Sequence, residues 1–119
     1  MPTILLVEDD PAVSLVIEQH LADAGFNVIV EPGTGSALAH IESLEAVDLL
    51  LADLVMPVDQ PNGLAFATML RSRAPNLPMI FITGYYGFVA RAGEIPGTVL
   101  YKPVDLDLLT REIGNRLAV

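Results

Sequence analysis

The residues of this chain that could do chemistry lie in three short patches, each directly after an apolar run. Glu8, Asp9 and Asp10 follow one run, Asp53 follows another, and Lys102 follows a third. If these runs are strands of one open α/β sheet, the side chains meet at the carboxyl edge, where such sheets bind ligands. Clustered carboxylates bind Mg²⁺, and a carboxylate beside that ion can attack phosphorus and form an aspartyl phosphate.

Each of these residues also has an ordinary structural interpretation. Acids at strand ends are often only solvated, so neither Glu8 nor Asp9 alone indicates a metal site. Asp10 precedes a proline and is better explained as a helix N-cap. Taken alone, Asp53 fits a turn-forming residue and Lys102 fits a surface lysine. The prediction therefore depends on all of them following successive strands.

A hydroxyl group joins this pattern after a further apolar run. Thr83 follows PMIFI, where its side chain either bonds a phosphoryl oxygen or caps a helix. Lys102 can act as a point-charge partner for a carboxylate or a phosphoryl oxygen. Acids, a hydroxyl and a lysine at successive strand ends together indicate a phosphoryl site with a divalent cation.

The composition indicates one domain and argues against several classes of partner. The chain has 119 residues, of which 52% are hydrophobic, so a single core and a single domain over residues 1–119 without an output domain are expected. The 15 acids against 6 Lys and Arg give a net charge of -9, which argues against binding to nucleic acid or an anionic membrane. With no Cys, no signal-peptide pattern and no apolar run of about 20 residues, we expect a cytoplasmic protein.

The elements that must position these residues alternate along the chain. Short apolar runs predict strands at residues 3–7, 26–30, 48–52, 78–82 and 98–101. A helix capped by Asp10 and closed by Gly25 follows the first strand, and its predicted apolar positions are Val13, Val16, Ile17, Leu21 and Ala24. After a turn at residues 32–35 a short second helix passes through Ala37 and Leu38 to Ile41 and Leu44.

The second half of the chain continues the alternation. Gly63 begins a third helix that reaches Arg73, residues 85–92 form a weak fourth, and Asp105 caps a last helix. The apolar face of that last helix is formed by Leu106, Leu109, Ile113 and Leu117. The alternation predicts an α/β, flavodoxin-like (βα)5 doubly wound fold with a five-stranded parallel sheet in the order 2-1-3-4-5.

The chain resembles the response-regulator receiver domains of two-component signalling. The resemblance rests on ILLVEDD, DLLLADLVMP, MIFITG and YKP, which are spread over its whole length. It implies a phosphorylation-controlled signalling switch that accepts a phosphoryl group on Asp53 from a histidine kinase or a histidine phosphotransfer protein. It further implies that the chain is not an enzyme, beyond promoting its own Mg²⁺-dependent phosphorylation and dephosphorylation.

The same resemblance assigns roles to individual residues. Glu8 and Asp9 resemble the acidic pair that holds Mg²⁺, with Asp53 and the backbone carbonyl of Val55 as further ligands. Thr83 resembles the switch hydroxyl that turns toward the phosphoryl group.

Lys102 resembles the lysine that pairs with the phosphoryl group, and its peptide bond to Pro103 is expected to be cis. Helix four, strand five and helix five would form the surface that reads the switch. That surface would bind an unknown downstream protein or form a homodimer.

Three positions depart from the family pattern. Val99 occupies the place where the family usually has an aromatic residue. Tyr101 is closer to the lysine but is expected to point to the face opposite that of Val99, because strand side chains alternate. The loop from Asp53 to Gly63 is longer than usual. Gly84 stands where alanine is common.

Three other classes of function remain to be weighed. A receiver fold that is not phosphorylated could serve as a protein-interaction scaffold, which the missing aromatic and the longer loop favour weakly. A small phosphatase with an aspartate nucleophile often needs a second acid where this chain has Val55. A flavin-binding protein is disfavoured because acids, and not a glycine- or hydroxyl-rich phosphate loop, follow the first strand.

Overall fold

The computed structural model describes residues 1–39, 47–54, 63–84 and 97–117. Its five parallel strands form one sheet in the order β2-β1-β3-β4-β5, which confirms the predicted flavodoxin-like topology. The strands are β1 (Thr3–Val7), β2 (Asn27–Glu31), β3 (Leu49–Asp53), β4 (Met79–Thr83) and β5 (Thr98–Tyr101). The helices within the described ranges are α1 (Pro11–Asp23), α2 (Thr34–Leu38), α3 (Gly63–Arg73) and α4 (Leu106–Leu117).

The core consists of two apolar clusters, one on each face of the sheet. Alternate residues of β1, β3 and β4 point to opposite faces of the sheet, and both sets are buried in apolar clusters. This is why the sequences of these strands are almost continuously apolar. One cluster joins the sheet to α3 through Phe66, Ala67 and Leu70. The other joins it to α1 and α4 through Ile17, Leu21, Leu109 and Ile113. The central strands are thereby packed between helices on both faces of the sheet.

The predicted helix caps are confirmed. The Asp10 carboxylate accepts a hydrogen bond from the Ala12 N–H at 3.0 Å, and Pro11 occupies the first helical position. Gly25 adopts a φ of 97° just after α1, a conformation that side chains rarely allow. At α4, the Asp105 carboxylate accepts from the Leu108 N–H at 3.1 Å. These local bonds fix where α1 and α4 begin.

Several predicted boundaries were wrong by a residue. β2, β3 and β4 each begin and end one residue later than the apolar runs suggested, because backbone pairing continues through polar residues as well as apolar ones. Glu31, Asp53 and Thr83 are therefore the last residues of their strands and are buried. The predicted turn at residues 32–35 is also wrong in part, since Gly33 is an extended N-cap and α2 begins at Thr34.

Two side chains of α1 face solvent and not the core as predicted. Val16 is 52% exposed, and Ala24, the C-cap residue, is exposed as well. Ser14, Ile17 and Leu21 form the buried stripe, so Val16 lies beside the stripe and not within it. The predicted helical residues Ile41 and Leu44 and the predicted helix at 85–92 lie outside the described residues.

Within the described ranges, no helix combines the length and the apolar character that crossing a membrane requires.

Candidate functional site

The sheet brings the predicted acids and the lysine to one edge. β1 lies next to β3, with Val7 opposite Ala52, so Glu8 directly follows β1 beside the end of β3. Asp53 is the last residue of β3, and Lys102 directly follows β5. Because side chains alternate along a strand, Glu8, Asp53 and Lys102 project toward the sheet face that α1 and α4 cover.

Lys102 joins the two buried carboxylates. Its Nζ donates to Glu8 Oε1 and to Asp53 Oδ2, both at 2.8 Å. Glu8 is 1% exposed and Asp53 4%, whereas the lysine side chain keeps 27% of its surface in contact with solvent. Buried carboxylates are costly unless they are paired, so this ammonium group is what permits two acids to lie side by side.

Three carboxylates at this edge could hold a metal ion. Glu8, Asp9 and Asp53 each offer one oxygen, and these oxygens lie within 4.8 Å of one another. Asp9 is exposed and therefore opens the group to solvent. Within the described part of the chain, Glu8 Oε2 is buried with no hydrogen-bond donor. Hard oxygen ligands and a buried acceptor without a donor fit Mg²⁺, which prefers carboxylates and retains several waters.

The same crowding shifts the protonation of the cluster. Burial raises the pKa of Glu8 to about 7, and the neighbouring Asp53 carboxylate adds to this rise, while Lys102 opposes it. Partial burial alone would lower the pKa of Lys102, but its hydrogen bonds to Asp53 and Glu8 and their charges prevail and raise it. The lysine is thus a permanent cation near neutral pH, and Glu8 is only partly ionised unless a further cation is present.

Thr83 lies at the same edge but on the opposite face of the sheet. It is fully buried at the end of β4, and its carbonyl accepts a hydrogen bond from the Lys102 N–H at 2.8 Å. Backbone pairing therefore links the residue that carries the hydroxyl to the lysine. The Lys102–Pro103 peptide bond is cis, as expected.

The prediction for Tyr101 was wrong. In the register of β4 and β5, Phe81 lies opposite Val99 and Thr83 lies opposite Tyr101. Val99 packs against the cluster that contains Phe81, and residues two apart on a strand share a face. Tyr101 therefore lies on the sheet face opposite Lys102. It shares that face with Val99 and Thr83, which the prediction had denied. The signal was present in the sequence as the strand period of two, counted from Val99.

The structure therefore brings Glu8, Asp9, Asp53 and Lys102 into one cluster and places Thr83 at its border. Val55, predicted to offer its carbonyl to the metal, lies outside the described residues. The arrangement can neutralise negative charge at the Asp53 carboxylate from two sides, through the lysine and through a cation held by the acids.

Comparison with known proteins is consistent with this geometry. Residues 4–113 match the family model described as response regulator receiver domain. DNA-binding transcriptional regulator NtrC of Bradyrhizobium sp. (strain RP501 Parasponia) is 32% identical over 98% of this chain, and transcriptional regulatory protein GlrR of Escherichia coli (strain K12) is 29% identical over 96%. This chain spans only 24% and 26% of those two proteins. A crystal structure of a response regulator receiver protein from Sinorhizobium medicae WSM419 superposes with a TM-score of 0.85 at 28% identity, covering 98% of this chain and 94% of that one.

Proposed function

This chain belongs to the family of response regulator receiver domains, and from that membership we propose that it accepts a phosphoryl group on Asp53. The observation that carries the proposal is the pairing of Asp53 with Lys102 at 2.8 Å, beside Glu8 and Asp9. The phosphorylated form acts as a signalling switch in a two-component pathway. Residues 1–119 work as one receiver unit, whose output is contact with another protein and not catalysis.

The transfer step follows from the cluster. One carboxylate oxygen of Asp53 attacks the phosphorus of a phosphohistidine and forms the new P–O bond as the P–N bond breaks. The electron pair of the broken bond returns to the imidazole, which leaves neutral because its other nitrogen carries a proton. Lys102 stays protonated throughout and pairs with a phosphoryl oxygen.

The acids have a separate task. Glu8, Asp9 and Asp53, with the Val55 carbonyl, would hold Mg²⁺. When bound, that ion supplies positive charge against the phosphoryl oxygens. Glu8 must be ionised to act as a ligand, so the cation and the proton compete for the same carboxylate.

The phosphoryl group is sensed through Thr83. Its hydroxyl turns toward the new phosphoryl oxygens, and the surface that includes β5 and α4 shifts with it. Because the Lys102 N–H donates a hydrogen bond to the Thr83 carbonyl, a displacement of either residue also displaces the end of the neighbouring strand, β4 or β5. Phosphorylation then shifts a pre-existing equilibrium between two conformations of that surface, which binds the downstream protein or a second copy of the chain.

The phosphodonor docks on an apolar surface beside the site. A cavity of about 300 Å³ lies between α1 and the segment after β5, lined by Ala12, Val13, Val16, Ile17, Lys102, Pro103, Val104 and Leu106. Lys102 belongs both to this cavity and to the acidic cluster, so a partner seated there borders Asp53. Leu15 and Val16 are half exposed next to it. The occupant we propose is the helix of the donor protein that carries the phosphohistidine.

Intact mass tests the central step. The chain is incubated with Mg²⁺ and acetyl phosphate, alongside Asp53→Asn and the control Asp48→Asn. Asp48 is an exposed aspartate that directly precedes β3, at the end of the strand opposite Asp53. Among the contacts described, its carboxylate accepts a hydrogen bond only from the Thr3 N–H. One phosphoryl group is expected on the parent and on the control, and none on Asp53→Asn or after Mg²⁺ removal. A parent chain without the adduct would favour the interaction scaffold instead.

A further inference from the structure

The first residue of α3 rests directly on the backbone of Asp53. A Cβ atom built on Gly63 would lie 2.2 Å from the Asp53 carbonyl oxygen and 3.0 Å from its carbonyl carbon. It would also lie 3.0 Å from the Cα of Leu54. Real Cβ atoms essentially never come within 3.0 Å of such atoms. Any side chain at position 63 therefore forces either α3 or the Asp53 peptide to move.

The Asp53 peptide has little freedom to move in response. The Gly63 N–H donates to the Leu54 carbonyl at 3.2 Å, and the Leu54 N–H donates to the Ile82 carbonyl at 3.0 Å. Leu54 is fully buried. The end of β3 is thus held between β4 on one side and the start of α3 on the other.

We infer that Gly63 is a positioning residue for Asp53, an inference that rests on the proposed phosphorylation. Gly63 contacts backbone atoms of Asp53 and Leu54 and takes no part in the chemistry. Its missing side chain lets α3 press on β3 so that the Asp53 carboxylate stays 2.8 Å from the Lys102 ammonium, next to Glu8. Small displacements of a nucleophile reduce the reaction rate strongly. A backbone shift at Asp53 is therefore expected to reduce the rate of phosphoryl transfer by more than the accompanying loss of folded protein would.

The chain offers a matched control for this inference. A Cβ built on Gly97 would lie 2.2 Å from the carbonyl oxygen of Met79 and 2.9 Å from its carbonyl carbon. The clash is nearly the same, but Met79 begins β4, at the opposite edge of the sheet from Asp53. Gly63→Ala and Gly97→Ala thus introduce a similar clash with a strand carbonyl at the two ends of the sheet, and the Cβ at 97 would in addition lie 3.1 Å from Cε2 of Phe81.

The experiment compares both variants with the parent by thermal unfolding and by the rate of phosphorylation with acetyl phosphate at saturating Mg²⁺. Both variants are expected to unfold at lower temperature. Only Gly63→Ala is expected to lose about ten-fold or more in the rate at saturating donor, with little change in the donor concentration for half-maximal rate. Gly97→Ala should stay within about two-fold of the parent rate.

Stabilising the fold separates positioning from stability. Trimethylamine N-oxide favours the folded state, so it restores a rate that was lost through unfolding but not one lost through displacement of Asp53. Recovery of Gly63→Ala in that osmolyte, or equal rate losses in the two variants, would overturn the inference. A parent chain that takes up no phosphoryl group would instead refute the proposed function itself.

A second pair covers the case in which Gly63→Ala does not fold. Phe66 is fully buried in the first turn of α3 and presses that helix on the sheet, and Phe81 is fully buried in β4 within the same cluster. Phe66→Leu is expected to slow phosphorylation more than Phe81→Leu at comparable loss of stability. A Phe66→Leu variant with the parent rate would overturn the inference.

Discussion

Glu8 is a carboxylate whose buried position opposes its own ionisation. It lies at 1% exposure with one oxygen bonded to Lys102 and the other, within the described residues, without a donor. Burial and Asp53 raise its pKa from 4.5 to about 7, above the value expected in the unfolded chain. A raised pKa means that the folded state binds a proton more tightly than the unfolded state does. The stability that this proton contributes is complete below about pH 4.5 and is lost as the pH rises through about 7.

Without divalent cations, the parent is therefore expected to lose stability relative to Glu8→Gln between about pH 4.5 and pH 8. The free energy of unfolding of the parent should fall by on the order of 3 kcal/mol relative to Glu8→Gln. This follows from the rise of the pKa from 4.5 to about 7, because one pKa unit is worth about 1.4 kcal/mol. Urea unfolding in EDTA at several pH values measures it, and the titration of the acids that do not contact Glu8 cancels in the difference. Parallel curves for the two proteins would show that Glu8 is ionised normally in the fold.

Asp9 differs from Glu8 in being exposed, which changes what its substitution should do. Asp9→Asn relieves like-charge repulsion and should therefore raise stability without Mg²⁺, but solvent screening limits the gain to less than about 1 kcal/mol. The larger expected effect is on the metal, with Mg²⁺ binding weakened by about ten-fold or more.

Isothermal titration with MgCl₂ measures this effect, and Asp10→Asn is its control. Asp10 is the exposed neighbour whose side chain caps α1, and asparagine caps as well as aspartate does. Equal Mg²⁺ affinities of Asp9→Asn and Asp10→Asn would place the metal away from Asp9.

At the scale of the elements, α1 both supports the sheet and carries the proposed donor surface. Its stripe of Ile17 and Leu21 is buried, whereas Leu15 and Val16 remain half exposed beside the apolar cavity that includes Lys102. Exposed apolar side chains next to a reactive group are typical of a partner surface.

Val16→Asp is expected to slow phosphotransfer from a histidine-phosphorylated protein donor by about ten-fold, which corresponds to about 1.4 kcal/mol of binding. Phosphorylation by acetyl phosphate should be unchanged, because the small donor needs no docking surface. The control is Met69→Asp, since Met69 is 45% exposed on α3. If Val16→Asp slows both donors alike, the substitution acts on the site or the fold and not on docking.

The elements also show how far the sequence could be interpreted. Strand order, helix caps and the start of α3 at Gly63 were predictable, because each depends on a local pattern or on the handedness of the connections. The ends of β2, β3 and β4 were not, because pairing between strands ignores whether a side chain is polar. The face of Tyr101 was mispredicted although the strand period fixes it. The clash at Gly63 was not predictable, since it depends on the distance between two elements.

For the whole molecule, the relevant quantity is the net charge of -9 and its distribution. An acidic surface repels itself, so any salt stabilises the folded chain modestly by screening. The cluster of Glu8, Asp9 and Asp53 should respond differently, because a bound divalent cation stabilises only the state that holds the three carboxylates together. Screening and binding can therefore be separated by comparing salts at the same ionic strength.

NaCl and MgCl₂ at matched ionic strength are expected to stabilise the parent unequally. At a Mg²⁺ concentration about 100 times its dissociation constant, binding adds about 2.7 kcal/mol to the free energy of unfolding, beyond what NaCl provides. In Asp53→Asn the two salts should act almost alike, because the cluster has lost one of its three carboxylates while the rest of the surface charge is intact. The measurement is thermal unfolding of the parent and of Asp53→Asn, each in NaCl and in MgCl₂. A parent that responds equally to both salts has an acidic surface but no metal site, and the Mg²⁺-dependent transfer to Asp53 would then have to be abandoned.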